Sequence, residues 1–313
     1  MPDSSLIGAA LDAFPESSRA KINAALADRA VIPHDTVSLL MEESELSLDR
    51  LMLRLLPLAA AFAVVPISNY RVGVVAEVTS ARGSTLYLGA NCEFADGSLA
   101  FSVHGEQAAI VNAWVNGETQ VNALAISAPP CGHCRQFLNE LGCAKRLELL
   151  LANAPKRRLM TDYLPQAFGP SDLGISAGLL STADQRLDLE DPSDDSVVNA
   201  ALAAARRSYS PYSHDAAGVA LMTEDGHVVA APYAENAAYN PSLSPICAAR
   251  SALELNRPLD ASREIRRAVL VETPTRASQR RFAEAALESW QPNLSLEYFR
   301  AINHEVRPGA RLG

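Results

Sequence analysis

The chain repeats itself once, and this duplication narrows its possible folds more than any other feature. Pro66-Ile67-Ser68 recurs as Pro211-Tyr212-Ser213, and Gly73-Val74 as Gly218-Val219, both 145 residues later. Arg82-Gly83 finds its counterpart in Asp225-Gly226, 143 residues on. A nearly constant offset through turn, strand and hairpin is the mark of a duplicated domain, with a period far above that of solenoid repeats. The chain therefore has to build one architecture twice. With 313 residues and 48% apolar side chains, it has the core to do so.

Within each copy, helical and strand patterns alternate. Ser47-Leu48-Asp49 predicts a cap for a helix running from Arg50 past Pro57 to Ala63. Arg71 to Val78 and Thr85 to Leu88 read as strands joined by a hairpin turn at Arg82-Gly83-Ser84. A helix begins at His104, and Leu124 to Ser127 and Leu147 to Leu151 read as further strands. Such alternation predicts an α/β fold, a sheet covered by helices. Residues 1–48 form a small helical segment, 49–172 the first domain, 173–195 a linker and 196–313 the second domain. The acidic run Leu187 to Asp195 reads as solvated linker, and Ser196 as the cap of an alanine-rich helix.

The chemistry is concentrated in the first copy, in Val103-His104-Gly105-Glu106 and Pro129-Pro130-Cys131-Gly132-His133-Cys134. One His and two Cys can donate lone pairs to a borderline metal. Cys131 and Cys134, three apart at a helix start, share a face. Pro130 suits the first turn of that helix, whose dipole stabilises thiolates. Three protein ligands around Zn²⁺ leave a fourth position open, as in catalytic sites. Glu106 stands where a proton carrier is needed. The alternative, a core histidine beside a structural or redox Cys pair, requires three elements to coincide by chance. His133 lies inside the Cys pair, where side chains normally point elsewhere, and is left out of the ligand set.

At offsets of 143 for the His–Glu stretch and 144 for the Cys pair the second copy has lost this set. His104 aligns with Cys247, Glu106 with Ala249, Cys131 with Thr275 and Cys134 with Ser278. One zinc per chain is expected. Cys247, the one ligand type kept, reads as core rather than as a metal site; followed by Arg250, it reads as the remnant of a three-cysteine site whose extra negative charge the guanidinium offset. Cys92 and Cys143 read as buried apolar residues. Five cysteines fit a reducing compartment. No basic-then-apolar leader is visible, and Leu55 to Val65 is too short to span a bilayer, so a cytoplasmic protein without membrane or nucleic-acid partners is expected. The net charge of −9 opposes a phosphate-tracking surface.

The spacing H-x-E…P-C-x-x-C is that of zinc nucleobase deaminases. The chain further resembles the long, two-domain form of the cytidine and deoxycytidylate deaminase family. The resemblance rests on Ser68 to Gly73, Gly89-Ala90-Asn91-Cys92-Glu93-Phe94, Pro130 to Phe137, Tyr163 to Pro170, and Ala234 to Tyr239 in the second copy. It implies an α-β-α layered mixed sheet, duplicated, and a homodimer acting on small nucleosides in pyrimidine salvage. It assigns the zinc to His104, Cys131 and Cys134, and proton transfer to Glu106. Asn91 and Glu93 would bind the ribose hydroxyls, and Tyr70 would pack on the pyrimidine, with core packing as the alternative for Tyr70. Gly105 departs from the family's usual Ala and is expected to loosen the helix start by ~0.5–1 kcal/mol. Two rivals are a polynucleotide-editing deaminase, opposed by the acidic charge and the 6% aromatic content, and a non-enzymatic zinc module.

Overall fold

A computed structural model describes residues 2–181 and 183–304; residues 305–313 of the expected second domain lie outside the described residues. In chain order, the first part contains α1 (Ser4–Leu11), α2 (Glu16–Ala25), β1 (Val31–Ile32), α3 (His34–Glu43), α4 (Leu48–Ala60), β2 (Gly73–Ser80) and β3 (Gly83–Ala90). There follow α5 (Gly105–Val115), β4 (Ala123–Ile126), α6 (Gly132–Leu138), β5 (Glu148–Leu151), β6 (Ala154–Leu159) and α7 (Met160–Tyr163). The second part contains β7 (Leu187–Leu189), α8 (Ser196–Arg206), β8 (Ala217–Thr223), β9 (Val228–Pro232), α9 (Pro245–Leu255), β10 (Ile265–Glu272), α10 (Arg280–Trp290) and β11 (Leu296–Asn303).

Two mixed sheets result, ordered β1-β3-β2-β4-β5-β6 and β7-β11-β10-β8-β9. Each contains one parallel pair, β4 with β5 and β10 with β11, among antiparallel neighbours. The unit β2-β3-α5-β4-α6-β5 is therefore repeated as β8-β9-α9-β10-α10-β11. Consecutive strand residues point to opposite faces. Gly73 lies against the backbone of α4, whereas Val74 lies against Gly105 of α5, so helices cover both faces of the first sheet. In the second sheet Val219 and Leu221 join the large core, and Ala220 and Met222 a smaller one behind it.

The repeated glycine has a packing cause. A Cβ at Gly73 would sit 2.2 Å from Leu56 O, and one at Gly218 2.5 Å from Ala201 O. Only glycine lets α4 and α8 rest so closely on their strands. The copies are joined by α5 packed on α9 and by Glu140, a fully buried carboxylate. It accepts from Tyr209 Oη at 2.8 Å, from Tyr212 Oη and from Ala237 N at 3.0 Å.

Several expectations need correction. The acidic run is not wholly linker: Leu187 and Leu189 are buried, and β7 pairs antiparallel with β11. Alternating polar Asp188 and Glu190 hid a half-buried edge strand. Asp195, not Ser196, caps α8, accepting from Val197 N and Val198 N. Pro130 precedes the Cys131 cap of α6 and lies outside the helix. Inside the amino-terminal helical segment, β1 pairs with β3 and extends the first sheet.

Candidate active site

The site is built where two helices begin. His104 is the N-cap of α5, and its backbone N–H donates to Gln107 Oε1 at 3.0 Å. Cys131 is the N-cap of α6, and its sulfur accepts from Cys134 N at 3.5 Å. Arg135 holds the entering loop, its Nε donating to Pro130 O at 2.8 Å. His104 Nδ1 lies 3.5 Å from Cys131 Sγ and 3.2 Å from Cys134 Sγ, and the two sulfurs are 3.6 Å apart. Tetrahedral zinc with ordinary Zn–S and Zn–N bonds separates its ligand atoms by about 3.5–3.8 Å. The donor set fits zinc in kind and spacing. His133 stays outside it, its ring centroid 5.4 Å from that of His104.

The thiols are unequal. A hydrogen bond from Cys134 holds Cys131 down at about 4, and the same bond, reinforced by burial, pushes Cys134 up. Glu106 is buried on the first turn of α5; burial raises its carboxyl above the ordinary value, although the nearby Cys134 and His104 pull the other way. Gly105 does more than loosen the helix. A Cβ there would come within 2.9 Å of Val74 Cγ2, so the missing methyl lets α5 settle on β2.

These groups line a cavity of about 480 Å³ that also takes in Ser68, Tyr70, Asn91 and Glu93. Tyr70 is 62% exposed, which removes core packing as its role. Asn91 Oδ1 accepts from Val72 N and its Nδ2 donates to Tyr70 O, both at 2.8 Å, so it shapes the wall bearing Tyr70. Glu93 accepts from Ile67 N at 2.9 Å, Ser68 N at 3.1 Å and Ser68 Oγ. Burial works against its ionised form, but the Ser68 and Ile67 donors outweigh it and lower the carboxyl. The sequence singled out Glu93 without its partner Ser68. The signal was there, since Ser68 and Ser213 share the repeat, and Glu235 accepts from Ser213 N in the second copy.

The zinc-binding region of cytidine and deoxycytidylate deaminases matches this chain twice, over residues 46–149 and 160–284. The cytidine deaminase of Aliivibrio fischeri is 44% identical over 86% of this chain and 89% of its own. The chain belongs to the cytidine and deoxycytidylate deaminase family. A second relative of this deaminase, the cytidine deaminase of Sodalis glossinidius, is 47% identical over 74% of this chain and 77% of its own. The solved cytidine deaminase of Mycobacterium tuberculosis is 29% identical, matching 38% of this chain and 96% of that one with a TM-score of 0.33. Zinc is the metal of this deaminase, and among the described residues His104, Cys131 and Cys134 are the group able to hold it.

The second copy of the deaminase aligns differently from the constant offset. Cys92 bridges Val103 just before α5, and Ala234 bridges Leu243 just before α9, across a loop two residues shorter. The N-cap matching His104 is therefore Ser244, not Cys247. Cys247 is a buried helix residue one turn further on, so the reading of a three-cysteine remnant fails. Arg250 pairs instead with Glu254 and stacks on Trp290, 4.4 Å from the ring centroid. After β10 the loop is longer, and Gln279, the N-cap of α10, takes the place of Cys131. Phe282, three residues on, takes that of Cys134.

Proposed function

We propose that the chain hydrolyses cytidine and deoxycytidine to uridine and deoxyuridine with release of ammonia. The observation that carries this reading is the buried Glu106 beside the His104, Cys131 and Cys134 set at the floor of the cavity. The relatives named cytidine deaminase support the same chemistry. Zinc held there supplies Lewis acidity that makes a water acidic near neutral pH. Glu106 takes the proton of the attacking water and delivers it to N3, which makes C4 electrophilic. The hydroxide left behind adds to C4, and Glu106 then moves the proton of the new C4 hydroxyl to the amino nitrogen, so that the C4–N bond breaks, ammonia leaves and the C4 carbonyl forms. Asn91 and Glu93 receive the ribose hydroxyls, because a carboxylate accepts from a hydroxyl and an amide both donates and accepts. Tyr70 covers the base.

Glu93 at the ribose would repel a 3′-phosphate, which favours nucleosides over polynucleotides. A homodimer in the cytoplasm, serving pyrimidine salvage, completes the reading: two domains in each of two chains make the four-domain core of the short family members. The 49–172 unit is then the catalytic domain and residues from 196 its non-catalytic companion. The test compares cytidine, deoxycytidine, dCMP and an oligonucleotide by ammonia release from the zinc-loaded chain. Turnover confined to the two nucleosides is expected. Turnover of the oligonucleotide alone would replace this reading by the editing one.

A further inference from the structure

Glu93 and the zinc ligand His104 sit at the two ends of one loop. Cys92 and Val103, the residues just before them, exchange two backbone hydrogen bonds of 2.8 Å, and residues 94–102 form the loop between. Its Leu99 and Ser102 line the catalytic cavity. His104 is held a second time, as the N-cap of α5. Glu93 lies outside every helix and strand, so the backbone behind its carboxylate is only as fixed as the loop.

That fixing comes from the second copy. The loop's two buried rings, Phe94 and Phe101, meet edge to face with centroids 6.0 Å apart. Each then packs edge to face on a ring of α10, Phe94 on Trp290 at 6.4 Å and Phe101 on Phe282 at 4.9 Å. Such pairs hold a preferred mutual orientation as well as burying area. The backbone passes equally close, since a Cβ at Gly97 would come within 2.8 Å of Ser289 Oγ on the same helix. Phe282 stands where Cys134 stands in the first copy, so the position that lost a metal ligand now holds the catalytic loop.

Trp290 is itself fixed from behind. The buried Arg250 guanidinium lies over its ring, 4.4 Å from the centroid, and pairs with Glu254 on the next turn of α9. Glu254 Oε2 also lies 3.5 Å from Arg263 Nε. Burying a guanidinium is costly even when it is paired, and an apolar side chain would fill the space without that cost. A flat cation stacked on a ring fixes the plane of that ring as a hydrocarbon does not. Contacts thus run unbroken from Glu254 through Arg250 and Trp290 to Phe94, the neighbour of Glu93.

We propose that Trp290, oriented by Arg250, is a positioning residue of the second copy that acts on nucleoside binding through Glu93. The assignment of Glu93 to the ribose rests on the functional reading above. The three zinc ligands and Glu106 belong to the starts of α5 and α6, which have their own caps. Affinity should therefore change while the chemical step does not.

The test measures cytidine kinetics, uridine binding by equilibrium dialysis and zinc content on the full zinc-loaded chain. Trp290→Leu should raise KM for cytidine and Kd for uridine about fivefold to tenfold, with kcat within about twofold and zinc retained. Trp290→Phe, which keeps a ring against Phe94, should return both to within about twofold of wild type. In a Glu93→Gln background, Trp290→Leu should add less than about twofold, because the carboxylate it positions is already gone. Arg250→Lys keeps a charge beside Glu254 but not the flat stack; it should raise KM about threefold and serves if the leucine variant does not fold. A merely less stable variant lowers kcat with the active fraction and leaves KM alone, and that result overturns the proposal. So does an unchanged KM, or an equal factor with and without the Glu93 carboxylate. A wild-type chain without cytidine turnover would sink the catalytic reading, and the uridine ratios would still decide this one. A chain that also binds no uridine would remove both.

Discussion

At the scale of single residues, the distinction that matters is between holding the metal and moving protons. Glu106 sits one helix position from Gly105 and two from His104, buried near Cys134, but outside the ligand group. Glu106→Gln should therefore keep one zinc per chain, read by metal analysis, while turnover falls by about 10²–10⁴. A variant that lost its zinc at unchanged stability would make Glu106 a ligand. Glu93 is committed three times over to Ile67 and Ser68, and a carboxylate still has a lone pair to offer a ribose hydroxyl. Glu93→Gln should raise KM for nucleosides by tenfold or more and leave any base-only turnover nearly untouched, because the unmatched hydroxyl is then buried unpaired. Equal losses on both substrates would take Glu93 out of the ribose site.

At the scale of elements, the two copies are held to one geometry by close helix–strand contacts. A methyl at Gly218 would meet Ala201 O and Ala205 N, backbone atoms with no rotamer to change. Gly218→Ala should destabilise by about 1–3 kcal/mol or more, seen as a lower midpoint in urea with metal content per folded chain unchanged. An unchanged midpoint would mean that α8 can move off β8 at little cost. The same scale explains why the offset misled. Strands and turns kept their spacing, while the loops before α9 and α10 changed length by a few residues. Helix-borne ligands were therefore matched to the wrong partners, although the duplication itself was correctly read.

At the scale of the molecule, the second copy carries buried acids as well as the shared core. Burial, with the charge of Glu272 and then of Glu235, pushes Asp215 up to about 7, although Gln279 pulls the other way. Its folded value thus lies above that of an ordinary aspartate, so its contribution to stability is whole below about pH 4 and lost as pH rises through 7. Asp215→Asn should be more stable than wild type at pH 8 by a few kcal/mol and equal to it near pH 4, compared by thermal melts. A difference that stays constant with pH would show that Asp215 is not the titrating group. The sequence by itself determined the duplication, the alternation that makes an α/β fold, and the zinc set. Each of these follows from local spacing: a period, a helical face, a cap. Only the tertiary structure decided that Leu187 to Leu189 close a sheet edge, since pairing with β11 depends on residues more than a hundred positions away. It alone put Ser68 under Glu93 and Ser244 at the place of His104. Loop lengths and hydrogen bonds between distant parts of the chain fix those contacts, and neither leaves a periodic trace in a linear sequence.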